Sequence, residues 1–162
     1  MKDVLDKLTS YNIFNYLLPG VVFIILSNIL TNYSLWQTRL VFNAFAAYFI
    51  GLVISRFGSL IVEPILKRVS FLTFYDYSDF VSACKKDTKI EVLSEVNNMY
   101  RTFSSLLILI LLLKIYELIE LNYPILKNIS SYMLIILMLI MFLYSYKKQT
   151  RYIAKRIKSI RS

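Results

Sequence analysis

Histidine is absent from the 162-residue chain, and cysteine occurs once. The first absence removes the commonest metal ligand and the general base that works near neutral pH; the second excludes an intramolecular disulfide. Cys84 lies in a short polar stretch beside Lys85 and Lys86, the setting of an inert or mildly reactive thiol. Also missing are a serine in a nucleophile-elbow setting, a glycine-rich phosphate loop after a strand, and a close carboxylate cluster at one depth. Asp76 and Asp79 share a loop without further ligands. Enzymatic and metal chemistry therefore have little to stand on, and no cofactor is expected.

What the chain has in excess is apolar sequence. Its hydrophobic content is 57%, above the roughly 45 to 50% of a soluble domain, and a small soluble core has no room for its long apolar runs. A membrane span needs about 20 mostly apolar residues, and four segments qualify: 14–31, 40–66, 103–121 and 129–146. Lipid offers the backbone no partners, so each is expected to be a helix. The expected fold is an all-α integral membrane protein, residues 1–162 forming a single membrane domain. The first apolar run contains Pro19, Gly20 and Asn28 and reads as a retained span, not a cleaved leader, with residue 1 as the mature start.

Lysine and arginine set the expected orientation. The first connection offers only Arg39 and the third only Lys127, whereas the loop 67–101 carries Lys67, Arg68, Lys85, Lys86, Lys89 and Arg101. The tail 147–162 adds Lys147, Lys148, Arg151, Lys155, Arg156, Lys158 and Arg161 with no acid. Both termini and the central loop are thus expected in the cytoplasm. Tyr33, Trp36, Tyr123 and Tyr132 would anchor the outer interface, and Tyr11, Tyr100, Tyr144 and Tyr146 the inner one. Most of the net charge of +9 is then topological, attracted to anionic lipid at about 1 kcal/mol per residue. Specific nucleic-acid recognition is not implied. The Ile, Lys, Asn and Tyr bias suits an AT-rich bacterial genome, and the inner membrane is the expected location.

Two charges, Arg56 and Glu63, interrupt the second span. A charge near the middle of a membrane helix costs about 2.5 to 3.5 kcal/mol on insertion scales, so it normally faces protein or water. At spacing seven the pair is expected on one face, roughly 10 Å apart. One account has Arg56 snorkelling and Glu63 pairing Lys67; the other puts both around a water-filled axis or in an intersubunit pair. Beside them, Ala47, Gly51, Ser55 and Ser59 recur at spacing four, with Ala44 and Gly58 alongside. Such a stripe lets helix backbones approach closely, against either this chain's own helices or another copy.

Further candidates are weaker. Lys114 and Glu117 in the third span can pair at spacing three near the outer boundary, or form a second polar ring. Pro19 and Gly20, after the polar Asn12 and Asn15, suggest a bend acting as interface anchor, gate or hinge. Lys2 to Ser10, with Val4, Leu5 and Leu8 on one side, suggests a short interfacial helix. Within the central loop, Ser78 can open a short helix, and Thr88 with Glu91 can form a capping box for one running unbroken to Leu121. The basic tail, with Ile153, Ile157 and Ile160 at helical spacing, is expected to lie on the membrane surface. Lys85, Lys86, Arg151, Lys155 and Arg156 are the candidates for binding phosphate or an acidic partner.

Four spans with NYLLPG at 15–20 in the first and SRFGSLIVEP at 55–64 in the second resemble the small multi-span membrane effectors of bacterial anti-phage defence systems, of the Hailong or Kiwa membrane-component type. The resemblance covers the whole layout. It implies a homo-oligomer in the inner membrane, held quiet by a cytoplasmic regulatory protein or a nucleotide or oligonucleotide signal, and damaging membrane integrity when released. In a ring of subunits Arg56 and Glu63 would repeat as charged rings of the kind that select ions. The competing reading is a non-conducting anchor or scaffold that recruits a cytoplasmic partner through the loop and tail.

Overall fold

A computed structural model describes residues 12–161. The expected helix at Lys2 to Ser10, and Tyr11, lie outside the described residues. Five helices follow in order: α1 (Ile13–Leu30), α2 (Leu40–Arg68), α3 (Tyr77–Lys86), α4 (Lys89–Asn122) and α5 (Ile125–Arg161). All but α3 are long and apolar enough to cross a membrane, which makes the chain a multi-span membrane protein.

Prolines shape the first two spans in the same way. Pro19 and Pro64 have no N–H, and each ring would press on a carbonyl one turn back. In both helices the turn before the proline widens to a π turn, Ile13–Leu17 in α1 and Gly58–Val62 in α2. The residue preceding each proline, Leu18 or Glu63, donates its N–H five positions back, to Ile13 or Gly58. A π turn takes in an extra residue, so the downstream faces are set back by roughly 100°, one α-helical step. The expected bend at Pro19 is thus absorbed within a continuous helix.

The core is a three-helix packing of α1, α2 and α4. Ile54, Leu106 and Ile110 form its centre, flanked by Val22, Phe23, Leu26, Ile50 and Leu109. Small residues allow the approach: a Cβ added at Gly20 would overlap the backbone of Ala47, and one at Gly51 would overlap the backbone of Tyr16. The stripe on the second span is therefore used against this chain's own first helix. At Gly58 the neighbour is the Ser105 side chain on α4.

Helix α2 ends in a Schellman motif, with Phe71 N–H donating to the Leu66 carbonyl and Ser70 N–H to that of Lys67. Ser70 takes the left-handed conformation, φ 59°, that this cap requires. The expected capping box of α4 does not form: Thr88 makes no side-chain cap, and the Asp87 carboxylate instead accepts from the Lys89 N–H at 2.9 Å. Ser78 likewise does not open α3, which starts at Tyr77.

The expected unbroken run into the third span is present, 34 residues long, about 51 Å at 1.5 Å per residue. Helix α5 is longer, 37 residues. The fourth span and the basic tail are therefore one helix, without the break at residue 146 that would let a separate tail helix turn along the membrane surface. Both helices exceed the bilayer's hydrocarbon thickness of about 30 Å. Their overhangs lie at the end of the bundle that carries α3, where Tyr77 meets Tyr152 of α5 at 5.7 Å between ring centroids.

Candidate functional site

The charges divide into two clusters, one at each end of the bundle. At the α3 end the buried carboxylate of Glu63 accepts from Lys67 Nζ at 2.9 Å and from Arg101 Nη1 at 2.7 Å. Lys67 also lies over the Phe74 ring, 3.8 Å from its centroid. Arg101 belongs to α4, so Glu63 fastens the second span to the third. The expected pairing of Glu63 with Lys67 is present, and the Arg101 pairing was not foreseen.

Arg56 goes elsewhere. Half-buried, its Nη2 donates to the Tyr16 hydroxyl of α1 at 3.3 Å, and no carboxylate pairs with it among the described residues. Arg56 and Glu63 thus do not share a face. The π turn lies between them, and the setback it introduces sends one to α1 and the other to α4.

The same turn frees a carbonyl. The Glu63 N–H is committed to Gly58, and Pro64 has none, so neither serves the Ser59 carbonyl in the ordinary helical manner. Lys148 of α5 fills that place, donating to Ser59 O at 2.6 Å and to Ser59 Oγ at 2.7 Å. A cavity of about 370 Å³ opens beside this contact, between α2 and α5. One wall is Ser59, Leu60 and Pro64. The other is a stripe on α5 at spacings three and four, comprising Tyr144, Lys147, Lys148, Arg151, Tyr152 and Lys155. Four cations line the cavity and no acid does.

Of the residues expected to bind phosphate or an acidic partner, Arg151 and Lys155 line this cavity. Lys85, Lys86 and Arg156 do not, and are exposed. Lys147, Lys148 and Ser59 were not singled out as phosphate ligands. Their one legible signal is the first pair of basic residues after the last apolar run, opposite a serine one turn before a proline.

At the far end Glu117, buried on α4, accepts from Lys114 Nζ at 2.7 Å and from the Asn32 N–H at 3.0 Å, with the Asn32 amide also donating. Tyr33 donates to Glu120. Burial first, and then this carboxylate, push the Tyr33 phenol above its ordinary range. Lys114 and Glu117 therefore pair on one helix and close the loop after α1. Pro19 is buried and Gly20 is packed on Ala47, so the candidate hinge sits inside the α1–α2 contact.

No group of three or more metal-ligating side chains occurs among the described residues. Compared with known protein families, curated proteins and solved structures, the chain matches none.

Proposed function

We propose that the chain works as a homo-oligomeric inner-membrane effector whose assembly conducts ions or permeabilises the bilayer, with both termini and α3 in the cytoplasm. The observation that carries this reading is the isolation of the fourth span. Its most apolar window contains no buried residue, whereas each of the other three spans buries part of its own. Leu134, Ile135, Ile136, Leu137 and Leu139 are each more than half exposed. Lipid alone can solvate such a helix, but close packing is what orders membrane helices, and an apolar face repeated on every copy is self-complementary. The seam between copies then runs along α5, since the small-residue stripe of α2 is occupied within the chain. Membrane damage causing growth arrest or cell death, as in anti-phage defence, follows if a cytoplasmic regulator releases the assembly.

The mass of the detergent-solubilised complex tests the first part, with a multimer expected and a monomer overturning it. Liposomes reconstituted with the purified chain test the second. Ion flux that changes in Arg56→Leu without loss of protein supports conduction.

A second reading has its own support. Glu63 and Glu117 are neutralised inside the chain, and the overhangs of α4 and α5 with α3 make a head suited to holding a partner. On that reading the protein is a non-conducting scaffold. Liposomes that never pass ions, together with a partner that co-purifies with the full chain and is lost when α3 is replaced, would favour it.

A further inference from the structure

The geometry points to the cavity between Ser59–Pro64 of α2 and the basic stripe of α5 as a binding site for a phosphate-bearing anion, with a glycerophospholipid headgroup and a soluble phosphate monoester as its two sources. Lys147, Lys148, Arg151 and Lys155 converge on it without an acid in the lining. Cations on one helix repel each other, and holding four of them on one stripe is unfavourable unless an anion is shared among them. Glu63 attracts Lys148 and offsets part of that repulsion, but its two oxygens are engaged by Lys67 and Arg101, and Lys148 meets three further like charges in Arg101, Lys67 and Arg56.

The site is also placed and held for such a ligand. Lys148 is fixed by both oxygens of Ser59, so one cation is set at the inner edge without having to be ordered on binding. Arg151 and Lys155, one and two turns further along, are exposed and free to close on phosphate oxygens. Tyr144 and Tyr152 bring hydroxyl groups and apolar ring faces to the same stripe, which suits a ligand polar at one end. The cavity volume of about 370 Å³ falls in the range of small-ligand sites. It also lies where the last apolar run gives way to the basic overhang, the depth at which basic pockets between helices meet lipid headgroups.

The test uses the full-length chain in a neutral detergent, titrated with dioleoylphosphatidylglycerol and, separately, with dioleoylphosphatidylcholine, bound lipid being counted by native mass spectrometry. Glycerol 3-phosphate, titrated by calorimetry, is the soluble arm. Two variants remove the same charge: Arg151→Gln with Lys155→Gln inside the cavity, and Arg156→Gln with Lys158→Gln outside it. Retention of phosphatidylglycerol over phosphatidylcholine, weakened at least ten-fold by the cavity pair and less than two-fold by the outside pair, establishes the site with lipid as its source. The same pattern with glycerol 3-phosphate establishes it with a soluble source. Equal weakening by the two pairs reduces the effect to general surface charge and overturns the proposal, as does absence of binding by both probes. Because the exposed residues are the ones changed, Lys148 and its contact with Ser59 stay intact. The outcome is independent of whether the protein conducts ions.

Discussion

Glu63 and Arg101, 38 positions apart, join the second and third spans through a 2.7 Å contact between Oε2 and Nη1. Both side chains are largely out of solvent, at 10% and 18% exposure. Removing one member of such a pair leaves the other charge uncompensated, at about 3 to 5 kcal/mol. Glu63→Gln should therefore lower the thermal unfolding midpoint in detergent far more than Lys67→Gln, which touches only the exposed partner. A double-mutant cycle with Arg101→Gln should recover part of the loss. Strict additivity of the two substitutions would rule out the coupling between Glu63 and Arg101.

The glycines should differ in kind. Gly51→Val and Gly20→Val place new atoms on neighbouring backbones that cannot move aside, so α1 and α2 should separate and monodisperse protein should be lost. Gly58→Ala meets a side-chain hydroxyl instead, and pairing it with Ser105→Gly should restore the thermal midpoint. Size-exclusion profiles rank the three. Full tolerance of Gly51→Val would mean that the helices are not in backbone contact.

Lys148 should be coupled to Pro64, although neither side chain is the other's hydrogen-bond partner. Lys148→Met leaves the Ser59 carbonyl without its donor, at about 1 to 3 kcal/mol for a buried acceptor. Pro64→Ala returns an N–H to the same turn, so Lys148→Met should be milder in the Pro64→Ala background than in wild type. Equal losses in both backgrounds would show that the lysine is not serving the freed carbonyl.

At the opposite end, Tyr33 makes alkaline pH informative. Its folded pKa is raised above the ordinary value of about 10 by burial and by Glu120. Its contribution to stability is then complete below the ordinary value and is lost as pH rises through the folded one. Stability measured from pH 8 upward should fall above about pH 10, and Tyr33→Phe should flatten that fall. Glu117→Gln, which loosens Asn32, should expose residues 32–39 to protease first.

Cys84 reports the orientation. As the chain's one thiol it sits half-buried in α3, outside the four spans. A membrane-impermeant maleimide should label it in inside-out vesicles and not in intact spheroplasts, while Ser34→Cys in a Cys84→Ser background should show the reverse. Labelling of Cys84 in intact spheroplasts would invert the topology argued from the basic residues.

The four long apolar helices were legible because crossing a bilayer leaves a mark on composition: a run of about 20 apolar residues matches the thickness of the hydrocarbon core and outruns what a small soluble core can cover. The continuous α4 was legible too, since no proline or glycine interrupts residues 88–121. What composition did not disclose was rotation. Spacing seven put Arg56 and Glu63 on one face, and the π turn that separates them depends on how Pro64 is accommodated, which residue types alone do not fix. Arg101 was counted as one more basic residue of a loop, although it is the half-buried partner of Glu63. The capping box at Thr88 failed for a local reason: the Glu91 N–H that its side chain would serve donates to the Thr88 carbonyl, and the Asp87 carboxylate takes the Lys89 N–H.

The widened turn at Gly58–Val62 also makes the length of the second span a specified quantity. Structurally it is a one-residue insertion held in register by its two ends, Arg56 on Tyr16 and Glu63 on Arg101. Within that stretch the exposed Ile61 can change, whereas Leu60 lines the cavity facing α5. A single-residue deletion there would leave every charge in the sequence and still rotate Glu63 away from the third span.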